Sequence, residues 1–190
     1  MIQLSLSSSI ADLLGILTLQ QKNLLSLLSE EEKHEQGFVT VQHTQEQVKR
    51  MHDITPHVLA KNKDEIVGYI LAMTLDSRNL VPSLIPLFTN FEKLAVQGKK
   101  VIDYQPMVIG QVCVAKSQRG TGLVDKLYTA YRAQYAPNYD FAITSIALSN
   151  KRSLAAHQRI GFEVISTFED KIQPWAIVLW DWNIPSKHKL

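Results

Sequence analysis

Residues 106–131, PMVIGQVCVAKSQRGTGLVDKLYTAY, constrain this chain more than any other stretch. An apolar run suited to a buried strand, residues 106–116, leads into a bend with glycines at 120 and 122. Apolar residues then recur every four, at Leu123, Leu127 and Tyr131, the pattern of a helix with one face in a core. A strand that hands over to a helix through a tight glycine bend belongs in a layered α/β fold.

The flanking sequence extends that expectation. IQLSLS alternates apolar and polar residues as a strand does, and a helix is expected from about Ile10 to Leu28. SEEEKHEQGF reads as a loop or short helix, and TQEQVKRMHD as a helix opened by Thr44 and Glu46. HVLAKNKDEIVGYILAMTL reads as a hairpin turning at Asn62–Asp64. FAITSIAL is a buried strand, NKRSLAAHQRIG a short helix closed by Gly161, and FEVIST and WAIVLWDW the final strands. With no repeat or linker, the chain reads as one domain over residues 1–190 with a mixed sheet. Residues 79–100, punctuated by Pro82 and Pro86 and helical from about Leu84 to Val96, stand apart as an insertion.

Composition narrows the function. A net charge of +2 lacks the basic surplus of nucleic-acid binders. The leucine-rich run from Leu13 to Leu28 is interrupted by Gln20, Gln21, Lys22 and Asn23, so no membrane span is expected. A start without Lys or Arg before Lys22 and a single cysteine, Cys113, give the expectation of a cytoplasmic protein. The six histidines show no metal-ligand spacing, so no metal is expected.

The glycine bend has its own chemistry. Backbone N–H groups and the positive end of the following helix converge where a bulky anion can approach, and Arg119 stands beside them. Asp125 stands where a dinucleotide fingerprint needs its third glycine, and no Gly-Lys-Ser/Thr phosphate loop is present. Further on, Asn150, Ser153 and His157 fall at i, i+3 and i+7 on one helix face, with Gly161–Phe162 closing the helix. Together these segments resemble the GNAT superfamily of acyl-CoA-dependent N-acyltransferases. Arg119 and Gly122 match its R-x-x-G-x-G/A signature, with Val124 replacing the last small residue. Asn150, Ser153, Gly161 and Phe162 match its later segment, with His157 at a position commonly tyrosine.

The resemblance implies a mostly antiparallel sheet of about seven strands flanked by helices. It further implies transfer of an acyl group, expected to be acetyl, from acyl-CoA to a primary amine by direct attack; the alternative is a non-catalytic acyl-CoA-binding module. Val112, Cys113 and Val114 are expected to splay from their neighbouring strand and pair with pantetheine. Gln118, Arg119, Gly120, Thr121, Gly122, Leu123 and Val124 would cradle the pyrophosphate, and Asn150 and Ser153 would touch the pantetheine or the adenosine-phosphate end. His157 is expected either to donate to the leaving sulfur or only to pack in contact with the cofactor. Cys113 reads as core rather than nucleophile. The family's strand carboxylate is replaced by Gln111; Gln111, Ser145 and Glu35 are expected on the acceptor side, and Glu35, Asp103, Tyr104 and Ser145 are candidates for a proton relay through water. The acidic SEEEKHE segment, a solvated face or an attractor of cationic amines, adds to that side. The insertion, with Leu84, Ile85, Leu87, Phe88 and Phe91, is expected to be a lid or a homodimer surface.

Overall fold

The computed structural model describes residues 1–27 and 37–183. Nine strands are found among them: β1 Ile2–Leu6, β2 Val58–Asn62, β3 Glu65–Met73, β4 Ala95–Val96, β5 Lys99–Lys100, β6 Pro106–Val114, β7 Phe141–Ala147, β8 Glu163–Glu169 and β9 Pro174–Asp181. The helices are α1 Ile10–Gln21, α2 Gln45–Ile54, α3 Ile85–Phe91, α4 Leu123–Tyr135 and α5 Lys151–Ile160, supplemented by short 3₁₀ turns. Seven strands form one sheet in the order β1-β2-β3-β6-β7-β9-β8, antiparallel at every pair except β6–β7. This is the mixed, mostly antiparallel α/β sheet expected.

Alternation along the strands gives the sheet two apolar faces. Leu13, Ile16 and Leu19 of α1, Val48 and Met51 of α2, and Leu87, Phe88 and Phe91 of α3 pack over one face. Leu123, Leu127 and Tyr131 of α4, the residues picked out by their spacing of four, pack over the other. No helix among the described residues is long and apolar enough to cross a membrane.

Several boundaries shift for local reasons. Helix α1 stops at Gln21 rather than Leu28, because Asn23 folds its amide back onto the Leu19 carbonyl (2.8 Å). Leu24 then bridges to Val39, and Leu28 lies outside the described residues. Thr44 caps α2 as expected, but the reciprocal partner in its capping box is Gln47, not Glu46.

The insertion differs most. Its helix covers only Ile85–Phe91, because Asn90 bonds the Pro86 carbonyl (2.8 Å) and the chain then turns at Gln97–Gly98. Both turn residues have positive φ (51° and 82°), the geometry of a two-residue hairpin, so Ala95–Val96 pairs with Lys99–Lys100 instead of extending the helix. Leu84, Leu87, Phe88 and Phe91 are buried against the chain's own sheet, so these apolar residues serve neither as an open lid nor as a surface for a second copy; Ile85 alone of the five is exposed. Truncating Phe88 to Ala is therefore expected to destabilise the fold by about 3–5 kcal/mol. Chemical denaturation of the variant checks this; unchanged stability with altered self-association would contradict it.

Candidate active site

Beyond the Val108–Ile143 pair, β6 and β7 no longer share hydrogen bonds, although both strands continue. A bulge follows the last shared pair: Leu71 faces Gln111 and Ala72 faces Ile109, so Gly110 is the extra residue on β6. A side chain there would meet Met73 Sδ at 2.7 Å, which accounts for glycine at this point. One freed group is satisfied at once, since Thr144 Oγ1 donates to the Ile109 carbonyl (2.8 Å). The remaining edge of β6 faces a cleft of about 500 Å³.

Val112, Cys113 and Val114 form one wall of this cleft. Gln118, Arg119, Gly120, Gly122, Leu123 and Val124 form its end, while Ser153 and His157 of α5 stand opposite. Gly37, Phe38, Val39 and Asn23, from the α1 side of the sheet, complete it, so the cleft passes through the split edge. Gly120 and Gly122 sit at φ 74° and 77°, the left-handed region, and Gly122 is the N-cap of α4 without any capping side chain. The N-terminal amides of α4 therefore face open space with no residue supplying an acceptor from the cap position, the arrangement that suits an anion. Asp125, in the first turn, would oppose an anion, but Arg159 grips its carboxylate (2.9 and 3.1 Å). Asp125, Arg152 and Arg159 all line the mouth and carried no signal of their own in the sequence.

Other expected residues take structural work. Arg119 Nη2 donates to Asn23 Oδ1 at 2.6 Å, so the arginine ties the bend to the end of α1 while still bordering the cleft. Thr121 is exposed and bonds the Gln118 carbonyl. Asn150 does not line the cleft: it caps α5 through Ser153 N–H and donates to the Phe38 carbonyl (3.0 Å). Gln111 also lies off the cleft, inside a buried network. Its amide donates to the Val41 carbonyl, and its oxygen accepts from Tyr69 and Gln20. Gln20 in turn accepts from the His43 backbone N–H and donates to His43 Nδ1. Gln111 thus fastens residues 41–43 against β6. Asp103 and Tyr104 precede β6 and do not line the cleft. Tyr104 instead packs on Phe141 and bonds the Val96 carbonyl. Glu35 and the SEEEKHE segment lie outside the described residues.

Of the two roles expected for His157, the geometry fits packing. A carbonyl can only accept, so the 2.7 Å contact with Ser153 O places the ring proton on Nδ1. Nε2 must then accept from the Tyr128 hydroxyl at 2.6 Å. No N–H remains for a leaving sulfur. Burial lowers the imidazole pKa to about 4, so the ring stays neutral. Burial likewise pushes the Cys113 thiol up to about 12, which removes it as a nucleophile at neutral pH. Among the described residues no group of His, Cys, Asp or Glu is placed to hold a metal.

A family model for the acetyltransferase (GNAT) family matches residues 21–162. The chain belongs to the GNAT family. Solved structures share the fold at low sequence identity. Naa50 of Arabidopsis thaliana, in complex with a bisubstrate analogue, has a TM-score of 0.62 at 14% identity, over 95% of this chain and 99% of that one. The yncA protein of Salmonella typhimurium, solved with its cofactor acetyl-CoA, gives 0.62 at 12%, over 100% and 98%. The ribosomal-protein-S18-alanine N-acetyltransferase of Escherichia coli gives 0.59 at 10%, over 100% and 99%. No curated protein sequence matches this chain.

Two outcomes follow from the buried histidines. His157→Phe strips the Tyr128 hydroxyl of its acceptor inside the core and should cost about 1–3 kcal/mol of stability, while kcat stays near the parent value. A fall of about a hundredfold in kcat would restore the acid role. Separately, burial lowers His43, His57 and His157 from 6.5 to about 4. The unfolded chain takes up protons that the folded chain refuses, so their contribution is complete above pH 6.5 and is lost as pH falls towards 4. Melting temperatures measured across that window should decline with acid; a flat profile would contradict the burial of these rings.

Proposed function

We propose that this GNAT-family protein transfers an acetyl group from acetyl-CoA to a primary amine by direct attack. The observation that carries the reading is the parting of β6 from β7 directly beside the uncapped, glycine-lined start of α4. An unpaired strand edge suits the amides of a pantetheine arm, and the α4 start suits a pyrophosphate. The residues present fit the donor: Gly120 and Gly122 keep side chains out of the anion's place, and Val112–Val114 supply the edge. The relatives solved with acetyl-CoA or a bisubstrate analogue support the same assignment.

In the reaction the amine nitrogen bonds to the thioester carbonyl carbon, the carbon–sulfur bond breaks, and the proton lost by nitrogen ends on sulfur. The chain's part is positioning and electrostatics. The β6 edge and the α4 amides hold the donor, and backbone N–H groups at the parting can stabilise charge developing on the carbonyl oxygen. With no carboxylate from Met107 to Ala115 and His157 committed to its partners, water in the cleft carries the proton. That same commitment of His157 favours a second reading, an acyl-CoA-binding module without turnover.

Acetyl-CoA should raise the melting temperature, since a ligand bound only by the folded state stabilises it. Gly122→Glu places an anion and a strained side chain at φ 77°, and should abolish that rise. Undiminished stabilisation of the variant would overturn the pyrophosphate assignment. Thiol release with a panel of primary amines separates the two readings: turnover establishes the enzyme, and binding without turnover the module.

A further inference from the structure

Segment 37–39 spans from the bend after β6 to the helix start after β7, and it is tied down at both ends. At one end the Val39 N–H donates to the Asn23 carbonyl (3.1 Å), and the Val39 carbonyl accepts from the Leu25 N–H (2.9 Å). Asn23 is itself held, because Arg119 donates to its side-chain oxygen at 2.6 Å and its own amide donates to the Leu19 carbonyl. At the other end Asn150, the N-cap of α5, donates to the Phe38 carbonyl (3.0 Å). Both asparagines are buried, at 1% and 7% exposure, so their hydrogen bonds do not compete with bulk water. Breaking one would leave a buried polar group without its partner, which makes the segment a fixed wall rather than a loop free to retreat.

The side chains of this wall divide. Val39 is buried in the core under α1, whereas Phe38 stays half-buried and borders the cleft. The cleft begins at the α4 start on one side of the sheet and passes through the parting of β6 and β7 to Gly37–Val39 on the other. Ser145, whose cross-strand partner Ile177 packs in the core under α1, shares that far side. A donor with its pyrophosphate at the α4 start and its pantetheine along Val112–Val114 points its thioester through the parting. The acyl group is the last part of such a donor, so it is the part that meets Phe38. An aromatic ring on a pinned backbone offers contact to a short acyl group and no room for a longer one.

We propose that Phe38, carried on a segment pinned by Asn23 and Asn150, closes the acyl end of the cleft and restricts the donor to short acyl groups, acetyl or propionyl. The proposal rests on the acyl-CoA reading of the cleft and adds to it the residue that sets chain length. Phe38 is a specificity-determining residue in this account, and Asn23 is a positioning residue that acts through it.

The test reads binding apart from turnover, by calorimetric titration of free CoA and of acetyl-, propionyl-, butyryl- and hexanoyl-CoA without any amine. Dividing each Kd by that of free CoA for the same variant cancels the pyrophosphate and pantetheine and leaves the acyl group's own effect. Binding of free CoA also shows that the variant is folded. The parent should bind butyryl- and hexanoyl-CoA about tenfold more weakly than acetyl-CoA, with propionyl-CoA close to acetyl-CoA. Phe38→Ala should bring the four acyl donors within about twofold of one another. Phe38→Tyr, which keeps the ring, should retain the discrimination. Asn23→Ala, which leaves the ring in place but frees the segment, should weaken it. Equal binding of hexanoyl- and acetyl-CoA by the parent overturns the wall and leaves the donor reading standing. Full discrimination in Phe38→Ala or in Asn23→Ala overturns the wall in the same way. A parent that binds neither free CoA nor any acyl-CoA overturns the donor reading itself, and the wall with it.

Discussion

Pairing between β6 and β7 ends after three residue pairs, and the rest of the molecule is arranged around that early ending. A parallel pair of strands ordinarily continues until one of them stops, because each abandoned backbone group must find another partner or water. Here Gly110 inserts a bulge that shifts the register of β6, and Thr144 absorbs one abandoned carbonyl. The sheet stays intact elsewhere because β6 keeps its full pairing with β3, and β7 with β9. The opening is therefore held by two rigid walls rather than by loops, and rigid elements position a site more accurately than loops do.

The surroundings of the opening divide the labour. On the α4 side, positive-φ glycines and an uncapped helix start create positive potential without committing a charged side chain to it. On the α1 side, the Gln20–His43–Tyr69–Gln111 network fastens residues 41–43 to β6, and Asn150 fastens Phe38 to the start of α5. These contacts brace both sides of the split from a segment far away in sequence. Buried polar groups of this kind are costly unless satisfied, so they fix one arrangement of the chain.

Much of the fold was readable from periodicity. The run from Pro106 into the glycine bend and on to Tyr131 folds as strand, bend and helix, since alternation, positive-φ residues and a spacing of four are local properties. Thr44 was readable as a helix opening for the same reason. The insertion was not: its apolar residues carry no mark that says whether they meet another molecule or the chain's own sheet. The Gln97–Gly98 turn was the overlooked local signal that ended the helix early.

The candidate site shows the same boundary. Sequence patterns anticipated β6, the glycine bend and α5 around the cleft, because glycines and strand or helix periodicity act through conformations that neighbouring residues dictate, but not Asn23 or Gly37–Val39. Tertiary structure alone decided what the polar side chains do there. Arg119 turns to Asn23, Asn150 to Phe38, and His157 to Tyr128, each pair separated by 29 to 112 positions along the chain. The Phe168–Trp175 ring contact likewise required the register of β8 against β9. Hydrogen bonding acts over a few ångströms of space, and spacing along a chain does not report that distance until the fold has closed it.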